Sequence, residues 1–167
     1  MAPNDVPDTF DERTTLTTML TYAREIATSK ATGLSDEEAA QAPLSTSPLM
    51  TIGGVLHHLT WVERDWIDRR MLGGPDEGPW TEDEPDREYT LGAITPLADV
   101  LAEYREQTAR LDARLDGLAL DTPAAMPLSG GSPITLRWIL LHLVEETSRH
   151  NGHLDILREL IDGTVGD

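Results

Sequence analysis

Apolar residues recur at spacings of three and four in several long stretches of this chain, and no stretch alternates as a half-buried strand does. That periodicity restricts the chain to helices packed on helices. The first stripe runs from about Asp11 to Ala31, with Leu16, Met19, Leu20, Ala23, Ile26 and Ala27 on one face and Gly33 closing it. Ser35-Asp36-Glu37-Glu38 follows as a capping box. A second helix is expected from about Thr51 to Leu72, stopped by Gly73-Gly74-Pro75. A third follows Thr95-Pro96, a cap with proline at the first helical position, and reaches about Gly117. Ser132-Pro133 repeats that start, and a fourth helix extends to about Ile161. The stretch from Pro75 to Ile94 carries Pro79, Pro85 and Glu82-Asp83-Glu84, and reads as a long irregular loop; a second loop spans Leu118 to Ser132. The expected architecture is an all-α four-helix bundle with long connecting loops, one domain over 1–167.

Charge narrows the partners. Thirteen Lys+Arg against 30 Asp+Glu give a formal charge of −17, which repels phosphate backbones and anionic lipid. Nucleic acid and membrane surfaces are therefore not expected partners. The chain has no cysteine, so thiolate-ligated zinc, iron–sulfur clusters and a cysteine nucleophile are excluded. The polar, acidic Met1-Ala2-Pro3-Asn4-Asp5 start lacks the pattern of a signal peptide, and the expected location is the cytoplasm.

Chemistry concentrates in five histidines: His57 and His58 on the second helix, and His142, His150 and His153 on the fourth. Projected at about 100° per residue, Val55, Leu59, Val62 and Trp66 define the buried stripe of the second helix. His58 flanks it, whereas His57 falls nearly opposite with Trp61, facing solvent or a partner. On the fourth helix, Leu136, Ile139, Leu140, Leu143, Thr147, Leu154, Leu157 and Ile161 mark the core side, and His150 sits near its middle. Glu146 lies one turn before His150, a spacing at which two side chains can share an ion. His58 from a facing helix would complete a three-ligand set with positions left open. The alternative on spacing alone is a cluster in which these three groups hydrogen-bond one another and water.

Two segments carry a resemblance: Gly54-Val55-Leu56-His57-His58-Leu59-Thr60-Trp61-Val62-Glu63, and His142-Leu143-Val144-Glu145-Glu146-Thr147-Ser148-Arg149-His150-Asn151-Gly152-His153-Leu154-Asp155. With them the chain resembles the DinB/YfiT-like superfamily, in particular an actinobacterial branch sometimes labelled "mini-circle protein". It is also similar to the N-terminal domain of the mycothiol-dependent maleylpyruvate isomerases, which share Glu at the position matching Glu146. The resemblance implies an up-down-down-up four-helix bundle holding a divalent metal ion, zinc or nickel foremost. The implied ligands are His58, Glu146 and His150. It also implies transfer or isomerisation with a low-molecular-weight thiol, and the composition of a GC-rich genome favours mycothiol over bacillithiol.

Two function classes follow. As an enzyme, the chain would use its metal as a Lewis acid to transfer a small-molecule thiol to an electrophilic substrate, with Glu145, His153, Asp65 and Arg149 as candidates for supporting acid/base or substrate-binding roles. As a binder, it would be a metal- or ligand-holding homodimer, with His57, Trp61 and Trp138 supplying an apolar patch. Trp80, in the acidic loop, would cover the site mouth or join that interface.

Overall fold

Asp11 starts the first helix by accepting the Thr14 amide on its side chain at 3.0 Å, which fills one of the donors a helix N-terminus leaves free. In this computed structural model α1 spans Glu12–Ser29, α2 Asp36–Ala39, α3 Ile52–Arg64, α4 Arg87–Ile94, α5 Leu97–Leu115 and α6 Leu136–Asp162. The structure describes residues 4–128 and 130–166; Met1-Ala2-Pro3 of the polar start, Ser129 of the second loop and Asp167 lie outside them. Among the described residues the β structure amounts to one isolated bridge between Pro123 and Thr135.

The side-chain pairs fix the direction of each long helix. Glu12 and Ala23 of α1 and Lys30, which caps its end, meet Arg137, Asn151 and Asp155 of α6 in the same order, so these helices run parallel. Glu63 and Asp68 meet Tyr104 and Arg110 in the same order, so the chain beyond α3 runs parallel to α5. His58 and Trp66 meet Glu146 and Trp138 in reverse order, so α3 opposes α6. The result is the up-down-down-up bundle.

Four local expectations are corrected. Arg87–Ile94 is a helix, not part of an irregular loop. It docks on α3 through Gly53 and Gly92, and Glu88 and Gly92 are buried against the bundle. The second long helix does not stay α-helical: Asp65–Met71 has π geometry, marked by the Leu72 amide bonding the Ile67 carbonyl five residues back. Pro96 takes the cap position of α5, and the Leu97 amide is met from outside by the Asp36 side chain at 2.8 Å. The last helix starts at Leu136, not at Ser132-Pro133, because residues 134 and 135 pair with the second loop. The Leu136 and Arg137 amides donate to the carbonyls of Thr122 and Leu120, so α6 needs no capping side chain.

The apolar interior comes in two halves. One gathers Ile52, Val55, Leu56, Leu59, Val100, Leu154 and Leu157; the other gathers Leu20, Ile67, Leu111, Ile139, Leu140 and Leu143. Each fully buried leucine or isoleucine contributes roughly 1.5–3 kcal/mol. Between the halves lies a polar layer. On one side Arg24 bonds Glu63 at 2.9 Å and Asp112 at 2.8 Å, with the Tyr104 hydroxyl 3.4 Å from Glu63. On the other side stand His58, Glu146, Thr147 and His150.

Candidate metal centre

Regular α-helical geometry in α6 places Glu146 and His150 one turn apart, and His150 Nε2 lies 3.1 Å from Glu146 Oε1. α3 crosses at this height and brings His58 Nε2 to 3.8 Å from the same carboxylate oxygen. The two imidazole rings are 5.0 Å apart. One ligand atom from each of the three residues lies within 4.8 Å of the others. His150 is 3% exposed, and the side chains of His58 and Glu146 are 17% and 13% exposed, so the cluster is largely shielded from water yet reachable.

Each inner group is held from behind. Glu88 Oε1 is 3.2 Å from His58 Nδ1, and Tyr89 stacks on the His58 ring at 4.4 Å. His153 Nδ1 is 3.3 Å from His150 Nδ1. Arg149 donates to Glu146 Oε2 at 3.2 Å. Burial pushes the His58 imidazole below its ordinary pKa, against the upward pull of Glu88 and Glu146. Burial, followed by the neighbouring His58, pushes His150 down to about 4. Burial also raises the Tyr89 phenol above its usual range. Both shifts favour the uncharged imidazole, the state in which it can ligate a metal.

The donor set fits a divalent cation. Two donors each about 2.0–2.1 Å from one tetrahedral ion sit roughly 3.3 Å apart, and the observed 3.1 and 3.8 Å separations bracket that value. His58 Nδ1 points at the Glu88 carboxylate and its Nε2 points toward Glu146, so the ring spans from one carboxylate to the other. With the proton on Nδ1, His58 Nε2 and Glu146 Oε1 would face each other as two acceptors, an arrangement that a cation between them relieves.

The other sequence candidates are distributed around this centre. Asp65 is not at the three-residue cluster; Arg69 and Arg70 donate to it at 2.8 and 2.7 Å, and it lines a cavity of about 330 Å³ with His58, Trp66, Trp80 and Glu88. The Glu145 side chain is 60% exposed and 3.7 Å from His142 on the outer face of α6. His142 stacks on Trp138 and meets the edge of Trp66, away from the cluster. Trp80 stands edge-on to Trp61 at 6.1 Å and forms part of the cavity wall.

His57 does not face solvent. It is 6% exposed because α4 covers the side of α3 that the projection left open. Its Nδ1–H donates to the Glu88 carbonyl at 2.6 Å, and its Nε2 accepts from the Trp61 indole at 3.3 Å. Sequence reasoning missed Glu88 and Tyr89 altogether. The available signal was the proline-free run after Pro85, in which Tyr89 and Gly92 fall one turn apart.

No helix among the described residues is long and apolar enough to cross a membrane. The fold is similar to the crystal structure of a conserved protein of a locus from Enterococcus faecalis, at a TM-score of 0.62 and 16% identity, over 89% of this chain and 96% of that one. No curated protein matches the chain. A family model described as mycothiol-S-transferase matches residues 15–163, nearly the whole helical bundle. The chain belongs to the mycothiol-S-transferase family.

Proposed function

We propose that this protein holds one divalent ion, zinc or nickel foremost, on His58, Glu146 and His150, and transfers a mycothiol-like thiol to a small electrophile. The observation that carries the reading is the convergence of His58 Nε2, Glu146 Oε1 and His150 Nε2 beside a cavity of about 330 Å³ that His58 also lines. Family membership supports the thiol. A bound ion would supply Lewis-acid activation, lowering the pKa of a thiol so that thiolate forms near neutral pH.

The chain's own residues do the remaining work. His153 and Arg149 orient His150 and Glu146, and the Trp66 and Trp80 rings give the cavity apolar faces among its charged lining. Asp65 engages both Arg69 and Arg70, which leaves less guanidinium charge for a substrate anion. A neutral electrophile therefore suits the cavity better than a strongly anionic one. In the transfer, the thiol sulfur bonds to the electrophilic carbon, the carbon–leaving-group bond breaks with its electron pair, and the thiol proton passes to the leaving group or to solvent.

Zinc- and nickel-loaded protein is to be assayed with mycothiol, bacillithiol and glutathione against epoxides, halides and maleyl compounds. Turnover with mycothiol that disappears in Glu146→Ala and His150→Ala is the expected result. Equal rates in wild type and both variants would replace the transferase with a non-catalytic metal-binding bundle.

A further inference from the structure

Two adjacent histidines grip one residue of another helix. His57 takes the backbone carbonyl of Glu88, and His58 takes its carboxylate. We propose that Glu88 is a positioning residue of the metal centre, that it holds His58 in the Nδ1–H tautomer with Nε2 turned to Glu146 and His150, and that His57 anchors it there. The role toward the ion rests on the metal-centre reading above; the role toward the His58 tautomer does not.

Three observations carry the inference. First, the geometry leaves His58 little choice. Glu88 Oε1 meets Nδ1 at 3.2 Å while Tyr89, the next residue of α4, stacks on the ring at 17° between planes, so ring plane and proton position are set from one short segment. Metal-ligating imidazoles characteristically donate their second N–H to such an acceptor, which fixes the ring and raises its basicity.

Second, the Glu88 side chain is only 8% exposed, and its Oε2 is buried without a hydrogen-bond partner. A buried carboxylate half-satisfied by one 3.2 Å contact is expensive in isolation. A divalent ion held by neutral His58 and His150 and one carboxylate, Glu146, keeps one unit of positive charge. Glu88 supplies the balancing negative charge one imidazole away.

Third, α4 is placed with little tolerance. Gly92 packs backbone to backbone on Gly53, and His57 closes the other end of the contact at 2.6 Å. Glu88 therefore approaches His58 from a docked helix, not from a free loop.

The test uses the full chain with Glu88→Gln, Glu88→Ala and His57→Ala. Zinc affinity is measured by competition with a chromophoric chelator, and the His58 tautomer by ¹⁵N NMR of the metal-free protein. Glu88→Ala should weaken zinc roughly 10–100-fold and abolish the single Nδ1–H tautomer of His58. Glu88→Gln, which keeps an acceptor and the shape but loses the charge, should retain the tautomer and fall between Glu88→Ala and wild type in affinity. His57→Ala should keep one zinc per chain at reduced affinity. Circular dichroism and melting separate these effects from unfolding, and Glu88→Gln remains decisive if Glu88→Ala does not fold. An unchanged tautomer and unchanged affinity in Glu88→Ala would overturn the assignment. If wild-type protein takes up no zinc or nickel, the metal-centre reading fails, while the metal-free tautomer still decides whether Glu88 orients His58.

Discussion

Gly53 and Gly92 meet without side chains between them: a Cβ on either would lie 2.5 Å from the other's carbonyl oxygen. The opposing atoms are backbone, so neither helix can yield without moving as a body. Gly92→Ala should cost roughly 1–3 kcal/mol, as overpacking does, and should lift α4 off α3. Gly152 gives the contrast, because a methyl there meets nothing within 4 Å on the exposed side of α6. Gly152→Ala should therefore stabilise by roughly 0.5–1 kcal/mol. Urea melts of the two variants check both signs.

The neighbouring histidines should separate cleanly in metal content. His58→Ala, Glu146→Ala and His150→Ala are each expected to lose stoichiometric divalent metal, whereas His57→Ala keeps it. Elemental analysis of protein purified without a histidine tag is the measurement. Metal retained by His58→Ala and lost by His57→Ala would reverse the assignment.

The buried half of the polar layer on the far side should behave differently from its exposed half. Burial works against the charge of Arg24, but Glu63 and Asp112 more than offset it and hold the guanidinium ionised. The Glu63 side chain is 1% exposed and that of Asp112 is 51% exposed. Glu63→Ala leaves the buried Arg24 with only the half-exposed Asp112 and should cost about 3 kcal/mol. Asp112→Ala removes a partner that water can replace and should cost about 1 kcal/mol or less. Chemical denaturation of the two single variants tests the ratio.

Acid should destabilise the metal-free protein through the centre itself. His58 and His150 have folded-state pKa values below the unfolded one, His150 at about 4. The stability tied to their neutral forms is complete above the unfolded pKa near 6.5 and is lost as pH falls toward 4. Melting temperatures should drop across that window in wild type and less steeply in His150→Leu. Parallel curves would show that other groups set the acid limb.

The four long helices were legible because each buries a regular stripe, and the Glu146–His150 pair was legible because α6 keeps its α-helical period through both residues. What the sequence hid has a common cause. Projecting α3 against one apolar stripe treats the opposite side as solvent, but α4 buries that side as well, so His57 was misplaced. α4 itself was hidden because it docks through Glu88, Gly92 and the single aromatic Tyr89 and has no apolar stripe, and polar residues ordinarily mark surface. Glu88, the buried partner of His58, went unseen with it.

The π-helical stretch Asp65–Met71 has a consequence for how this chain can change over evolutionary time. Bonding five residues back admits about one residue more per turn than an α-helix. The residues toward the end of this stretch are thus rotated relative to the register that His58 defines. Removing a single residue from this stretch could restore plain α geometry. Such a deletion after Asp65 would leave the histidine where it is and swing Arg69 and Arg70 to different bearings on the cavity. Ion retention and substrate choice are therefore separable by an indel as well as by substitution. An alignment that assumes uninterrupted α-helical spacing would pair the wrong cavity residues between relatives while still matching the histidine.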